Sequence, residues 1–342
     1  MSADPPPATL RAALRTLKTT HHSLNPTHIP ITLGAPSPLT LLRLAHQNTP
    51  HIFRGAFGDT AACEKWDLPY LKQAMAGREV EVAETPLGNA DSVITHNGED
   101  IFIKPHVTKM RMEQLLDTLV TPAEDGRVRY SQGQDNNLAH EFFPLSLDVP
   151  SSLPWADEAF DAEPDAGNIW IGESRSVSAL HKDNYENLYC MVLGRKTFAL
   201  VSPVSVGAVG ERSLRTATYV PAGKGLGVRM DDDDEGWVHG WPTVDPDTPG
   251  VEGTEEEREG GEGLTVLRGT LEKGDVLYLP ALWYHKVSQE VGEEGVCVAV
   301  NYWYDMDYAG TFYPMMQFVR DAERVAAKQE EKAAEGAERI VE

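Results

Sequence analysis

The sequence predicts a mainly β fold with flanking helices: an antiparallel sandwich or barrel, preceded by a mixed α/β portion and followed by one charged helix. Three observations predict it. From about residue 128 the chain breaks into short β-rich runs (RVRYSQ, NIWIGE, SVSALH, ENLYCMVLGRKTFALVS, DVLYLP, WYHKVS, VCVAVNYWY) with few residues between them, the texture of sandwiches and barrels. Before residue 128, helical and strand periods alternate. After residue 315 the pattern is helical, turning strongly charged beyond Lys328.

Residues 1–8 are Pro-rich and suit disorder. Residues 8–18 carry Leu10, Ala13, Leu14 and Leu17 at helical spacing, and PLTLLRLAHQ (38–47) reads as a second short helix. HIFRGAF (51–57) reads as a strand ending at a Gly turn, WDLPYLKQAM (66–75) as a helix, and REVEVAE (78–84) as a half-buried strand. MRMEQLLDTLV (110–120) gathers Met112, Leu115, Leu116 and Leu119 on one helical face. These elements define an N-terminal α/β portion, 1–127, packed on a β core, 128–314.

Within the core, Gly194-Arg195 between two strand patterns signals a tight hairpin. Residues 223–263 interrupt the β texture with the DDDD run at 231–234 and EEE at 255–257, and read as a solvated acidic insert. A cation site at the DDDD run is the alternative there. Trp237 and Trp241 are the exception and should find something to pack against. The segment 315–342 forms the C-terminal helix. Its narrow apolar face of Phe318, Ala322 and Val325 fits a cap on the domain or a homodimer contact.

Composition narrows the function classes. The 342 residues carry 53 acids against 30 Lys and Arg, a net charge of −23. Residues 231–262 hold 13 acids and one base, Arg258, so −12 of that is local. Such a surface argues against gripping nucleic acid directly and suits a basic protein partner. Three cysteines (Cys63, Cys190, Cys297) without a CxxC pair exclude a disulfide scaffold and a Cys-rich zinc finger. No apolar run approaches the ~18 residues of a membrane span. The N-terminus lacks the basic and apolar regions of a secretory signal. The expectation is an intracellular protein, cytoplasmic and/or nuclear, with no membrane partner.

The chemistry concentrates in SALHKDNYENLYCMVLGRKTF, 178–198. His181 and Asp183 are two apart in a β context, hence on one face of a strand. His285, in YLPALWYHKVS, is the best third partner. Two imidazoles and a carboxylate on one face of a metal leave positions open, the arrangement of non-haem Fe(II) oxygenases. A bare HxD is a weak signal. The order strand, HxD, hairpin and Lys, followed about 100 residues later by a strand His, is much harder to reach by chance.

The segments NIWIGESRSVSALHKDNYENLYCMVLGRKTFALVSP, GDVLYLPALWYHKV and VCVAVNYWYDMDY resemble the jumonji-C (JmjC) family of 2-oxoglutarate oxygenases. PHIFRGAFGDTAACEKWDLPYL and EVEVAETPLGNADSV carry the resemblance into the N-terminal portion, so that it spans most of 40–315. The resemblance implies a double-stranded β-helix, that is, a jelly-roll or cupin-like barrel. It implies Fe(II) as cofactor on His181, Asp183 and His285, with 2-oxoglutarate and O₂ as co-substrates. Lys196 matches the lysine that pairs with the distal carboxylate of 2-oxoglutarate. Tyr130 matches a tyrosine donating to the same group, and Asn187 and Asn301 match asparagines of the co-substrate pocket. Ser178 stands where relatives often carry threonine. Trp170, Tyr185, Tyr189, Trp283 and Trp303 read as core or pocket wall. The most similar branch implies lysyl C-3 hydroxylation of a basic protein, such as a developmentally regulated GTP-binding protein. N-methyl-lysine demethylation, endopeptidase activity and a non-catalytic cupin-like binding module remain the alternatives.

Overall fold

The structure, a computed structural model, describes residues 9–341 apart from 122–123, 233–235, 256, 258–259 and 262, with side chains to residue 333. The Pro-rich start of the chain lies outside these residues.

Two sheets face one another. The larger has nine strands in the order Ile31–Leu33, His51–Arg54, Val276–Leu279, Tyr185–Leu193, Cys297–Asp305, Ala166–Gly172, Val128–Ser131, Glu79–Thr85 and His106–Arg111. The smaller has four: Val266–Leu271, Arg195–Val201, Tyr284–Glu290 and Ser178–His181. Tyr130, Trp170, Tyr189 and Met191 from the large sheet interdigitate with Phe198, Leu200 and Val287 from the small one. This is the jelly-roll barrel expected from the sequence.

The large sheet is covered on both faces, which is why its central strands read as unbroken apolar runs rather than alternating ones. In Tyr185–Leu193, Tyr189 and Met191 point into the barrel, while Leu188, Cys190 and Val192 point outward. The outward set meets Leu41 of the helix Pro38–Gln47 and Met112, Leu115, Leu116 and Leu119 of the helix Met112–Val120. Truncating a buried leucine such as Leu116 to alanine would cost about 2–5 kcal/mol. Strands at residues 31–111 thus complete the sheet that residues 128–305 build.

Three features differ from the sequence reading. Gly194 does not close a hairpin: Tyr185–Leu193 pairs with Val276–Leu279 and Cys297–Asp305, while Arg195–Val201 pairs with Val266–Leu271 and Tyr284–Glu290. The chain steps from one sheet to the other there. A Cβ at Gly194, whose φ is +74°, would meet the Glu290 carbonyl oxygen at 2.5 Å.

The insert is also partly ordered. Gly225–Met230 and Trp237–Trp241 pair with the long strand Arg212–Ala222, which joins Glu99–Lys104 and Ser92–His96 in a third, five-stranded sheet. Asp231 is not free for a cation. It accepts from Thr216 and Thr218 and pairs with Lys104 at 2.8 Å. Asp233 and Asp234 lie outside the described residues.

The C-terminal helix, Phe312–Val341, buries Val319, Ala322 and Ala326 against Leu14 of the helix Leu10–Leu24, so it caps the small sheet. Glu323 fixes that face through Arg11 at 2.6 Å and Lys18 at 2.9 Å. Phe318 and Val325 remain exposed, and only Ala322 of the expected stripe turns inward. Among the described residues no helix is long and apolar enough to cross a membrane.

Candidate metal centre and its cavity

His181 ends the strand Ser178–His181 and sits opposite His285 in the antiparallel register of the small sheet. Along Tyr284–Glu290, His285 and Val287 point into the barrel, while Tyr284 joins the cluster under the C-terminal helix. The two imidazole centroids are 4.1 Å apart. Asp183 follows in the loop after the strand, its carbonyl accepting from the Leu282 amide at 2.8 Å. Asp183 Oδ2 lies 3.6 Å from His285 Nε2 and 4.0 Å from His181 Nε2. One ligand atom from each of the three falls within 4.8 Å of the others.

The tautomers are set by the backbone. His181 Nδ1 contacts the Ala179 carbonyl oxygen at 2.7 Å and His285 Nδ1 the Trp283 carbonyl oxygen at 3.0 Å. A carbonyl only accepts, so each Nδ1 carries a proton and Nε2 is the nitrogen left to face a metal. Burial pushes the His285 pKa down from 6.5 to about 4, helped by His181, which keeps its imidazole neutral. Two imidazoles and a carboxylate converging on one point fit a single divalent ion and leave part of its coordination open.

The triad opens into a cavity of about 990 Å³ lined also by Ser178, Asn187, Trp170, Tyr189 and Trp303. Ser178 opposes Val287. Asn187 is oriented from behind: Trp170 Nε1 donates to Asn301 Oδ1 at 2.8 Å, and Asn301 Nδ2 donates to Asn187 Oδ1 at 3.1 Å. Asn301 is fully buried and does not line the cavity.

Lys196 and Tyr130 form the floor behind the Tyr189 ring rather than the wall itself. Lys196 is 1% exposed; its Nζ donates to Tyr130 Oη at 2.8 Å and lies over the Tyr130 and Tyr189 rings at 5.2 and 5.6 Å. Among the described residues no carboxylate pairs with it. Burial pushes the Tyr130 pKa up, so the phenol stays protonated. Gly172 makes the arrangement possible, because a Cβ there would meet Tyr130 Cδ2 at 2.6 Å. A buried ammonium with aromatic rings and one hydroxyl around it is under-compensated, and it fits an anionic ligand.

Three residues that the sequence reading missed belong to the site. Asp91 and Gln132 line the cavity, joined by a 3.0 Å hydrogen bond. Glu211 stands behind the triad, accepting from Lys182 Nζ at 2.6 Å and Tyr284 Oη at 2.7 Å, the immediate neighbours of the ligands. Trp241 of the insert finds its partners here, edge-on to Phe102 at 4.5 Å and parallel to His181 at 6.4 Å. Nothing in local spacing marks Asp91 or Glu211.

Fold and site together define a cupin-type barrel with a two-histidine, one-carboxylate centre. Residues 38–310 match the family model described as a cupin-like domain. The chain is 37% identical over 284 residues to the human bifunctional peptidase and (3S)-lysyl hydroxylase JMJD7, covering 83% of this chain and 86% of that protein. It is 34% identical to the lysine-specific demethylase JMJ32 of Arabidopsis thaliana, over 80% of each chain. It is 32% identical to JmjC domain-containing protein E of Dictyostelium discoideum, over 80% of this chain and 83% of that one. The chain belongs to the cupin-like JmjC family of oxygenases.

Proposed function

We propose that the chain is an Fe(II)- and 2-oxoglutarate-dependent protein hydroxylase that adds a hydroxyl group at C-3 of a lysyl residue in a basic protein, such as a developmentally regulated GTP-binding protein. The observation that carries this reading is the pairing of a convergent His181–Asp183–His285 cluster with a buried, carboxylate-free Lys196 in one barrel. The similarity to a (3S)-lysyl hydroxylase supports the choice of lysine.

His181, Asp183 and His285 would hold the iron. Lys196, with Tyr130, would bind the distal carboxylate of 2-oxoglutarate, with Ser178 and the Asn301-oriented Asn187 beside it. The bound ion, 2-oxoglutarate and O₂ supply an oxidant able to take hydrogen from an unactivated C–H, releasing succinate and CO₂. The packed aromatic wall of Trp170, Tyr189 and Trp303 keeps water from the floor. The net charge of −23 suits a basic substrate protein. The exposed Met315, Phe318 and Val325 on the C-terminal helix suit a second copy of the chain, which light scattering of the wild type against Phe318→Ser tests. The compartment expected is cytoplasm or nucleus.

The direct test incubates the protein with Fe(II), 2-oxoglutarate, ascorbate and lysyl peptides from such GTP-binding proteins. Succinate release coupled to a 16 Da gain on lysine is expected. Formaldehyde release from a methyl-lysyl peptide would replace the reading with demethylation, and peptide-bond cleavage with peptidase action. No turnover of any kind would leave a binding module.

A further inference from the structure

The cavity carries a second carboxylate that the chemistry above does not use. Asp91 stands just before the strand Ser92–His96, which packs beside Ser178–His181. Its Oδ2 accepts from Gln132 Nε2 at 3.0 Å. Its Oδ1 has no partner among the described residues. Lys104, the cation whose charge acts on it, is already paired with Asp231. Burial pushes the Asp91 pKa up despite these neighbours, so its negative charge is under-compensated where it stands.

Two tryptophans of the same cavity, Trp241 and Trp303, have buried indole Nε1 atoms without an acceptor among the described residues. The Phe102–Trp241 pair offers an apolar wall for a methylene chain.

We propose that Asp91 is the subsite for the ε-ammonium of the substrate lysine, with its free Oδ1 accepting a charge-assisted hydrogen bond while the lysine methylenes run along Phe102 and Trp241. This rests on the lysyl reading above and adds to it a requirement for an unmodified, positively charged side-chain tip.

The test uses Asp91→Asn in the full chain, since the amide oxygen can still accept from Gln132. Ligand-observed NMR of n-pentylammonium against neutral n-pentanol reads the subsite without turnover. The wild type should prefer the ammonium by about tenfold or more, and the variant should lose that preference. In turnover, the variant should raise KM for a lysyl peptide by a similar factor and lose discrimination against the acetyl-lysyl peptide, with KM for 2-oxoglutarate unchanged. Equal ammonium preference in the two proteins would overturn the proposal, as would unchanged discrimination by a variant that hydroxylates lysine. Asp91-dependent ammonium binding by a wild type that oxidises no lysyl peptide would uphold the subsite and refute the lysyl hydroxylase reading.

Discussion

At one end of the cavity the three side chains of the candidate metal centre stand at a strand end, in a loop and on a facing strand, with Asp183 24% and His181 21% exposed. Behind the cavity's Tyr189, at a closed end, a lysine ammonium is buried among tyrosine rings, 1% exposed, with a phenol as its acceptor. The open end orders its groups from the backbone, through the carbonyls of Ala179 and Trp283 and the amide of Leu282. The closed end orders its cation by packing, with Gly172 making room for Tyr130. A metal centre has to admit ligands and can afford water. As the proposed anion site, the closed end would work by denying its cation any carboxylate of its own, so that the ligand supplies the missing charge.

The two ends should therefore fail differently. Asp183→Ala should abolish metal-dependent 2-oxoglutarate turnover, an effect well beyond the about 10–100-fold that loss of an outer partner of a ligand costs. The fold should survive, because the tether to Leu282 uses the Asp183 backbone. Succinate release and Mn(II) binding read this, and turnover by the variant with excess metal would remove Asp183 from the centre. Lys196→Met should weaken 2-oxoglutarate binding by about 10–100-fold, the worth of hydrogen bonds to a charged group. Its urea midpoint without ligand should hold or rise, since an unpaired buried cation has been removed. Unchanged 2-oxoglutarate affinity would refute the assignment, and a collapse in stability would make the ammonium structural.

Legibility in the sequence follows the same division. His181 and Asp183 could be read because residue type and a spacing of two name the chemistry, although Asp183 lies in the loop just past the strand rather than on its face. Lys196 could be read only through the family resemblance, which matches it to the lysine of the co-substrate pocket. Asp91 and Glu211 could not, since each gains its meaning from partners 29 or more residues away, Gln132 for one and Lys182 and Tyr284 for the other. The Gly194 error has a physical source: a tight hairpin and a step between sheets both favour a glycine with positive φ, and only the pairing partners separate them. The stripe on the C-terminal helix was misplaced for a related reason. The Glu323 ion pairs with Arg11 and Lys18 select the face that docks, and they link sequence-distant helices.

Acid sharpens the comparison further. Burial holds the His285 pKa near 4 against 6.5. A base with a depressed folded-state pKa contributes stability that is present above the unfolded value and lost as pH falls through the window. For the metal-stripped protein this predicts a loss of up to roughly 3 kcal/mol between about pH 6.5 and 4. His21, pushed to about 4 by burial, shares the window. Urea titrations across it should show a shallower slope in His285→Gln. An unchanged slope would mean that burial of His285 is not felt by the fold.

The smallest predicted effect concerns what holds the open end in register. Glu211 is buried, and one of its oxygens takes both Lys182, between the first two ligands, and Tyr284, beside the third. Its other oxygen faces Arg320 of the C-terminal helix at 3.1 Å. The strands bearing His181 and His285 are thereby tied from outside to the helix that caps them. Glu211→Gln keeps the side chain's size and one accepting oxygen but removes the charge that balances Lys182 and Arg320. Mn(II) affinity should fall by about tenfold, the lower range for an outer support, while KM for 2-oxoglutarate stays put because the Lys196 floor is untouched. Co(II) absorption of the substituted protein separates the possible causes. An altered ligand-field spectrum means that the strands have shifted, whereas wild-type spectrum and affinity would show that hydrogen bonds within the small sheet alone hold the ligands.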